Sequence, residues 1–189
     1  QLSVVVSGAG TVTTNPAGIN CGTTCTQAIA AGTTVQLTAT PAPGYVFVGF
    51  SGAGSEFCNG GSGCFITKGG AAQTVTATFV QGVRYTVQVV GDGRVTGDAP
   101  SVISCPTACT ALVAPGTVVQ LNAGAGVNSV FSGWTGPCAT PGINYCRFVV
   151  DRDMTIVATY TAGNVLTVQG IAASGPLLII RIDPGNTGC

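Results

Sequence analysis

The residues best suited to chemistry in this chain are its nine cysteines, and there is no histidine to work beside them. Most fall into close pairs: Cys21 with Cys25, Cys58 with Cys64, Cys105 with Cys109, and Cys138 with Cys146. A cysteine can act as a nucleophile, bind zinc or be oxidised to a disulfide, and spacing separates these uses. No pair has the Cys-x-x-Cys spacing of zinc knuckles or thiol oxidoreductases, and no imidazole completes a metal set. Disulfides made in an oxidising compartment are the expected use. Four cysteines per unit allow three pairings. Local bridges are the expectation, and a crosslink between the two cysteine loops of a unit is the alternative. A five-residue loop contributes roughly 2 kcal/mol and a 40-residue loop about 4, so the choice has consequences. Cys189 is left over. It has a partner in a longer array, forms an intermolecular disulfide, or stays a free thiol.

Other chemistry has little material. The six acids are Glu56, Asp92, Asp98, Asp151, Asp153 and Asp183. Glycoside hydrolysis needs two facing carboxylates, and Glu56 has no counterpart later in the chain. Asp151 and Asp153 have a calcium-site look, but they fit a turn before a strand better. Lys68, the single lysine, is expected as a surface residue beside a turn. An isopeptide bond would need a partner that nothing in the pattern singles out. Phe47, Phe50, Phe131 and Trp134 recur in register, which suits core anchoring better than a sugar-stacking platform. Tyr45 and Tyr145 are the expected exposed aromatics. The chain is expected not to be an enzyme and to carry no cofactor or metal.

The elements that position these residues repeat. Cys21, Cys105 and Cys189 lie 84 residues apart, each five residues after a proline: Pro16, Pro100 and Pro184. A tandem array with a period near 80 follows, with units at 1–82 and 83–162 and a partial third unit at 163–189. Each full unit begins with strand, glycine turn and strand. Leu2-Ser3-Val4-Val5-Val6, Gly8-Ala9-Gly10 and Thr11-Val12-Thr13 match Tyr85-Thr86-Val87-Gln88-Val89, Gly91-Asp92-Gly93 and Arg94-Val95. This is a hairpin signature. Val35, Leu37 and Ala39 alternate with Thr34, Gln36 and Thr38, and Val119, Leu121 and Ala123 repeat the pattern; such alternation marks half-buried strands. Val75-Thr76-Ala77-Thr78-Phe79 and Ile156-Val157-Ala158-Thr159-Tyr160 close the units. The expected fold is all-β: two small disulfide-stapled domains of six or seven strands, then a C-terminal β-hairpin.

Taken together, Gly-x-Val, Pro, Cys-x3-Cys, Gly-x2-Val-x-Leu-x-Ala, Phe-x-Gly-Trp-x-Gly, Cys and Val-x-Ala-x-Phe resemble the divergent B-repeat domains of bacterial cell-surface proteins. Phe50 stands where the pattern has Trp; Trp134 keeps it. The resemblance covers both full units. It implies tandem all-β spacers or adhesive stalks in secreted or surface-anchored proteins.

Bulk composition bounds the partners. Only 12 residues are charged, six of each sign, far below the quarter typical of globular proteins. There is no basic stripe for nucleic acid and no apolar stretch long enough to span a membrane. Solubility rests on Thr, Ser, Asn and Gln, so neighbours cover the surface or O-linked sugars decorate the Thr-rich faces; no Asn-x-Ser/Thr sequon exists. The chain starts at Gln1 and enters a strand at once, which reads as an exported protein with its signal peptide removed. In the third unit Val165, Leu166 and Val168 read as one strand, and Leu177, Leu178, Ile179, Ile180 and Ile182 as a second. Apolar on both faces, the second must be paired somewhere. The expected role is an extracellular structural subunit of a surface fibre, filament or stalk, self-associating by inter-subunit strand addition or joined to neighbouring repeats. An adhesin or carbohydrate-binding module is the alternative.

Overall fold

A computed structural model describes residues 1–22, 24–55, 58, 61–99, 102–138 and 143–163. Among these residues every regular element is a strand. In the first unit they are β1 (Leu2–Ser7), β2 (Gly10–Asn15), β3 (Asn20–Cys21), β4 (Thr26–Gln27), β5 (Thr34–Pro41), β6 (Tyr45–Gly52), β7 (Gly63–Thr67) and β8 (Gln73–Gln81). The second unit holds β9 (Val83–Val90), β10 (Gly93–Gly97), β11 (Ile103–Cys105), β12 (Thr110–Val113), β13 (Thr117–Ala125), β14 (Ser129–Thr135), β15 (Tyr145–Val150) and β16 (Met154–Ala162). The protein is thus all-β, in two tandem domains. Each has eight strands rather than six or seven, because both arms of the first cysteine loop pair briefly with their neighbours.

Each unit contains two four-stranded sheets. The first unit has the orders β4-β1-β8-β6 and β3-β2-β5-β7. The second has β12-β9-β16-β14 and β11-β10-β13-β15, the same topology strand for strand. Alternation places the core. In β5, Val35, Leu37 and Ala39 are buried while Thr34 and Thr38 are exposed. Leu2, Val4, Val75, Ala77 and Phe79 of one sheet share a single cluster with Val12, Val35, Leu37, Ala39 and Ile66 of the other. The first unit is therefore a sandwich. Each fully buried Val, Leu or Ile contributes about 1.5–3 kcal/mol.

The glycine turns are not hairpins. β1 lies in one sheet and β2 in the other. The place beside β1 is taken by β8, which runs parallel to it with Leu2 opposite Gln73 and Ser7 opposite Thr78. The chain must then cross to the second sheet over the side chain of Phe79. Gly8 turns there at φ +90°, where a Cβ would sit 1.9 Å from the Phe79 carbonyl oxygen, and a Cβ on Gly10 would meet the Phe79 ring at 2.6 Å. In the second unit a Cβ on Gly91 would sit 2.2 Å from the Tyr160 carbonyl oxygen, and one on Gly93 would meet the Tyr160 ring at 2.4 Å. Gly-x-Gly is required because the last strand's aromatic occupies the corner.

Lys68 is not a surface residue: it is 3% exposed. It follows Cys64 and Ile66 on the inward row of β7. Gly32 N donates to Lys68 O at 2.8 Å, as Gly116 N donates to Val150 O at 2.8 Å. Lys68 therefore stands where the second unit has a buried valine. Its stem fills the core edge, and its ammonium donates to the carbonyls of Gly69 and Ala71.

Two pairs of substitutions test these placements by denaturation. Gly8→Ala is expected to destabilise by about 2 kcal/mol or more, lowering the melting midpoint by about 10 °C. Gly32→Ala shares a positive φ of 83° but meets nothing within 4 Å, so it should cost clearly less; equal losses would remove the close approach to Phe79 as the cause. Lys68→Met is expected to stay within about 1 kcal/mol of the native protein in urea, because the exposed Gly69 and Ala71 carbonyls return to water. Lys68→Ala, which empties the stem's space, should cost about 2 kcal/mol or more.

Candidate functional site

The paired cysteines sit at the two lateral edges of each sandwich. β3 and β4 border one side of their respective sheets, and β6 and β7 border the other. Cys21 ends β3 and is bonded to Cys25, just before β4, with Cα atoms 4.4 Å apart. Cys58, in the connection from β6 to β7, is bonded to Cys64 at 5.0 Å. The second unit repeats both, Cys105 with Cys109 at 4.9 Å and Cys138 with Cys146 at 5.6 Å. These separations suit disulfides. Each bridge therefore closes a crossing from one sheet to the other. The first loop is also tied to the sheet: Val4 N donates to Cys25 O, and Val87 N to Cys109 O, both at 2.8 Å. Bonded in this way, the eight sulfurs offer no thiolate for nucleophilic or metal chemistry.

The repeated aromatics form a second constellation. Phe47 packs on Phe50 at 4.8 Å and on Phe79 at 5.3 Å. Phe131 packs on Trp134 at 5.2 Å and on Tyr160 at 5.3 Å. Three residues apart in a strand, two side chains should point to opposite faces. A bulge between Phe47 and Gly49 changes the parity: Phe47 lies opposite Phe79 and Phe50 opposite Ala77, and both partners face the core. β14 has the same irregularity between Phe131 and Gly133, with Phe131 opposite Tyr160 and Trp134 opposite Ala158. Phe-x-Gly-aromatic is thus a bulge that turns two rings inward. Trp134 Nε1 donates to Ile143 O at 3.1 Å, which ties down the second cysteine loop. Tyr160 donates from its hydroxyl to Arg94 O at 2.6 Å. Burial pushes its phenol above the ordinary tyrosine range, so it stays neutral and serves as a donor.

The carboxylates are dispersed. Asp153 Oδ1 accepts from Arg84 N at 2.7 Å, fixing the start of β9. Asp151 pairs with Arg152 at 3.3 Å, both well exposed. Among the described residues no three of Cys, Asp and Glu come together as a metal set. Glu56 and Asp183 lie outside the described residues. So do Cys189 and the expected assembly strands, Val165, Leu166, Val168, Leu177, Leu178, Ile179, Ile180 and Ile182.

Outer faces carry hydroxyls. On the β3-β2-β5-β7 sheet, Thr11 is opposite Thr40, Thr13 opposite Thr38, and Thr34 opposite Thr67. The Thr34 and Thr67 hydroxyls lie 3.2 Å apart. Phe65, opposite Gln36, stands out of this face with 64% exposure. Tyr145 is exposed and Tyr45 half-buried. Sequence reading passed over Phe65, although its parity against Cys64 and Ile66 was available. Among the described residues there is no helix, and so none long and apolar enough to cross a membrane.

Comparison with curated proteins finds no match. The divergent InlB B-repeat domain family matches residues 1–83 and again residues 85–164. Both copies of the sandwich, with their cysteine pairs, are covered. The chain belongs to the divergent InlB B-repeat domain family.

Proposed function

We propose that this protein is an extracellular structural repeat, a subunit of a bacterial surface fibre, filament or stalk, assembled by strand addition from the 163–189 segment. The family itself suggests a bacterial surface repeat protein. One observation carries the reading: each unit closes itself with two local disulfides, and the first presents an uncharged, Thr-rich sheet face, with no metal constellation among the described residues. Such disulfides persist in oxidising surroundings. The topology also supplies borders for an added strand. β4 pairs with β1 at Leu2 and Ser3, and Cys25 O accepts from Val4 N, so only β1 beyond Val4 borders that side of the sheet. β6 and β7 are edge strands along their whole length. An apolar strand from a neighbouring copy would satisfy the backbone groups of such an edge.

Phe65 favours a second reading, a module that stacks sugars on an exposed aromatic within a hydroxyl-rich face. Glycan-array binding that Phe65→Ala abolishes would favour it.

Electron microscopy of protein prepared without reductant tests the first reading. Filaments are expected from residues 1–189, and dispersed particles from a variant ending at residue 162. Filaments formed equally well by the shortened variant would overturn strand addition by that segment.

A further inference from the structure

We infer that each unit is built to carry tension along the chain, with the parallel pairing of its first and last strands taking the load in shear. The inference deepens the structural reading and rests on it for its biological use. Its physics is separate, since a single chain can be stretched whether or not filaments form.

Chain entry and exit are the key. β1 and β8 are neighbours and run parallel through six consecutive pairs, Leu2 opposite Gln73 to Ser7 opposite Thr78. Gln73 N also donates to Gln1 O at 3.0 Å, extending the ladder by one residue. In a strand, alternate residues direct their backbone groups to opposite sides. Val4 donates to Cys25 on the β4 side, so Ser3, Val5 and Ser7 serve β8. The chain enters at the start of β1, beside the start of β8, and leaves at the far end of β8. Pulling on the two ends drives the strands along their axes in opposite directions. Evenly spaced parallel bonds then load together. If both loaded points lay at one end of the pair, the bonds would open one after another.

Packing adds resistance. β1 and β8 are the two inner strands of their sheet. Leu2, Val75 and Ala77 are fully buried, so sliding must draw core side chains past each other. No disulfide bypasses the ladder. Cys21–Cys25 and Cys58–Cys64 span only 4 and 6 residues, so they leave the path from β1 to β8 through the chain open to tension.

The second unit has the same arrangement. β9 and β16 are neighbours. Arg84 meets Asp153 near their starts, 69 residues along. Near their ends Gly91 meets Tyr160 at the same offset. A constant offset means a parallel pair.

Single-molecule force spectroscopy on the full chain tests this with two attachment geometries. Both use a handle at Gln1. In one the second handle is at Gln81→Cys, at the far end of β8; in the other it is at Ala72→Cys, beside the start of β8. Both positions are exposed, and the ladder is unchanged. Forced unfolding reads the barrier along the pulled direction. The expected result is an unfolding force several-fold higher for the Gln1–Gln81 geometry at the same loading rate. Equal forces, or a lower force in that geometry, would overturn the inference.

Discussion

In each unit the last strand lies beside the first, and much else follows from that placement. With β8 parallel to β1, the pair cannot be joined by a tight turn, so the chain between them must go elsewhere before returning. It does so by building a second sheet. The Gly8–Gly10 corner leads into that sheet, the first cysteine loop leads back, β5 and β7 lie in the second sheet with β6 in the first, and β8 closes the circuit. The two crossings that join one edge strand directly to another, β3 to β4 and β6 to β7, carry the disulfides. The corner crosses over the aromatic near the end of the returning strand, Phe79 or Tyr160, and that ring also belongs to the inward-facing aromatic cluster centred on Phe47 or Phe131. The constraint thus accounts together for the glycine pair, the bulge, the aromatic triad and the placement of sulfur.

Local pairing of the cysteines sharpens this view. A bridge between the two cysteine loops of a unit would close a loop of tens of residues and constrain the unfolded chain more, by a further 1–2 kcal/mol or so. The structure instead uses separations of 4, 6, 4 and 8 residues. What these bridges add is local geometry. β3 and β4 are two residues long and would fray without a fixed loop between them, exposing the sides of β2 and β1. Burial carries most of the stability, and sulfur decides where each sandwich ends.

Much of the fold was legible in the sequence because its signals are periodic. The recurrence of cysteine, the alternation in Thr34–Pro41 and its copy, and the closing Val-x-Ala-x-aromatic strands each repeat, and repetition separates signal from accident. The Gly-x-Gly turn misled because a hairpin and a sheet-switching corner look alike locally; pairing is decided by β8, some 70 residues later along the chain. Phe-x-Gly-Trp hid a bulge because parity is a property of the partner strand as much as of the motif. Lys68 was misplaced because its charge suggests solvent, while the inward row it continues, Cys64 and Ile66, and its counterpart Val150 suggest the core. Nothing local marks which of these wins: a long stem with two carbonyls in reach meets both demands.

The scarcity of charge belongs to the same account. Charged side chains on strand faces and edges discourage unwanted pairing of sheets with other chains. Here the outer face of one sheet carries Thr11, Thr13, Thr38 and Thr40 in opposed pairs, which hydrate well yet repel nothing. Such a face hydrates through hydrogen bonding without the charges that would repel a neighbouring strand. An enzyme or a free-standing binding domain gains from discouraging self-contact. In both units the entry and exit strands share one ladder, and in the first a sheet face carries hydroxyls in place of charge, features that suit a tandem repeat better than a site for chemistry.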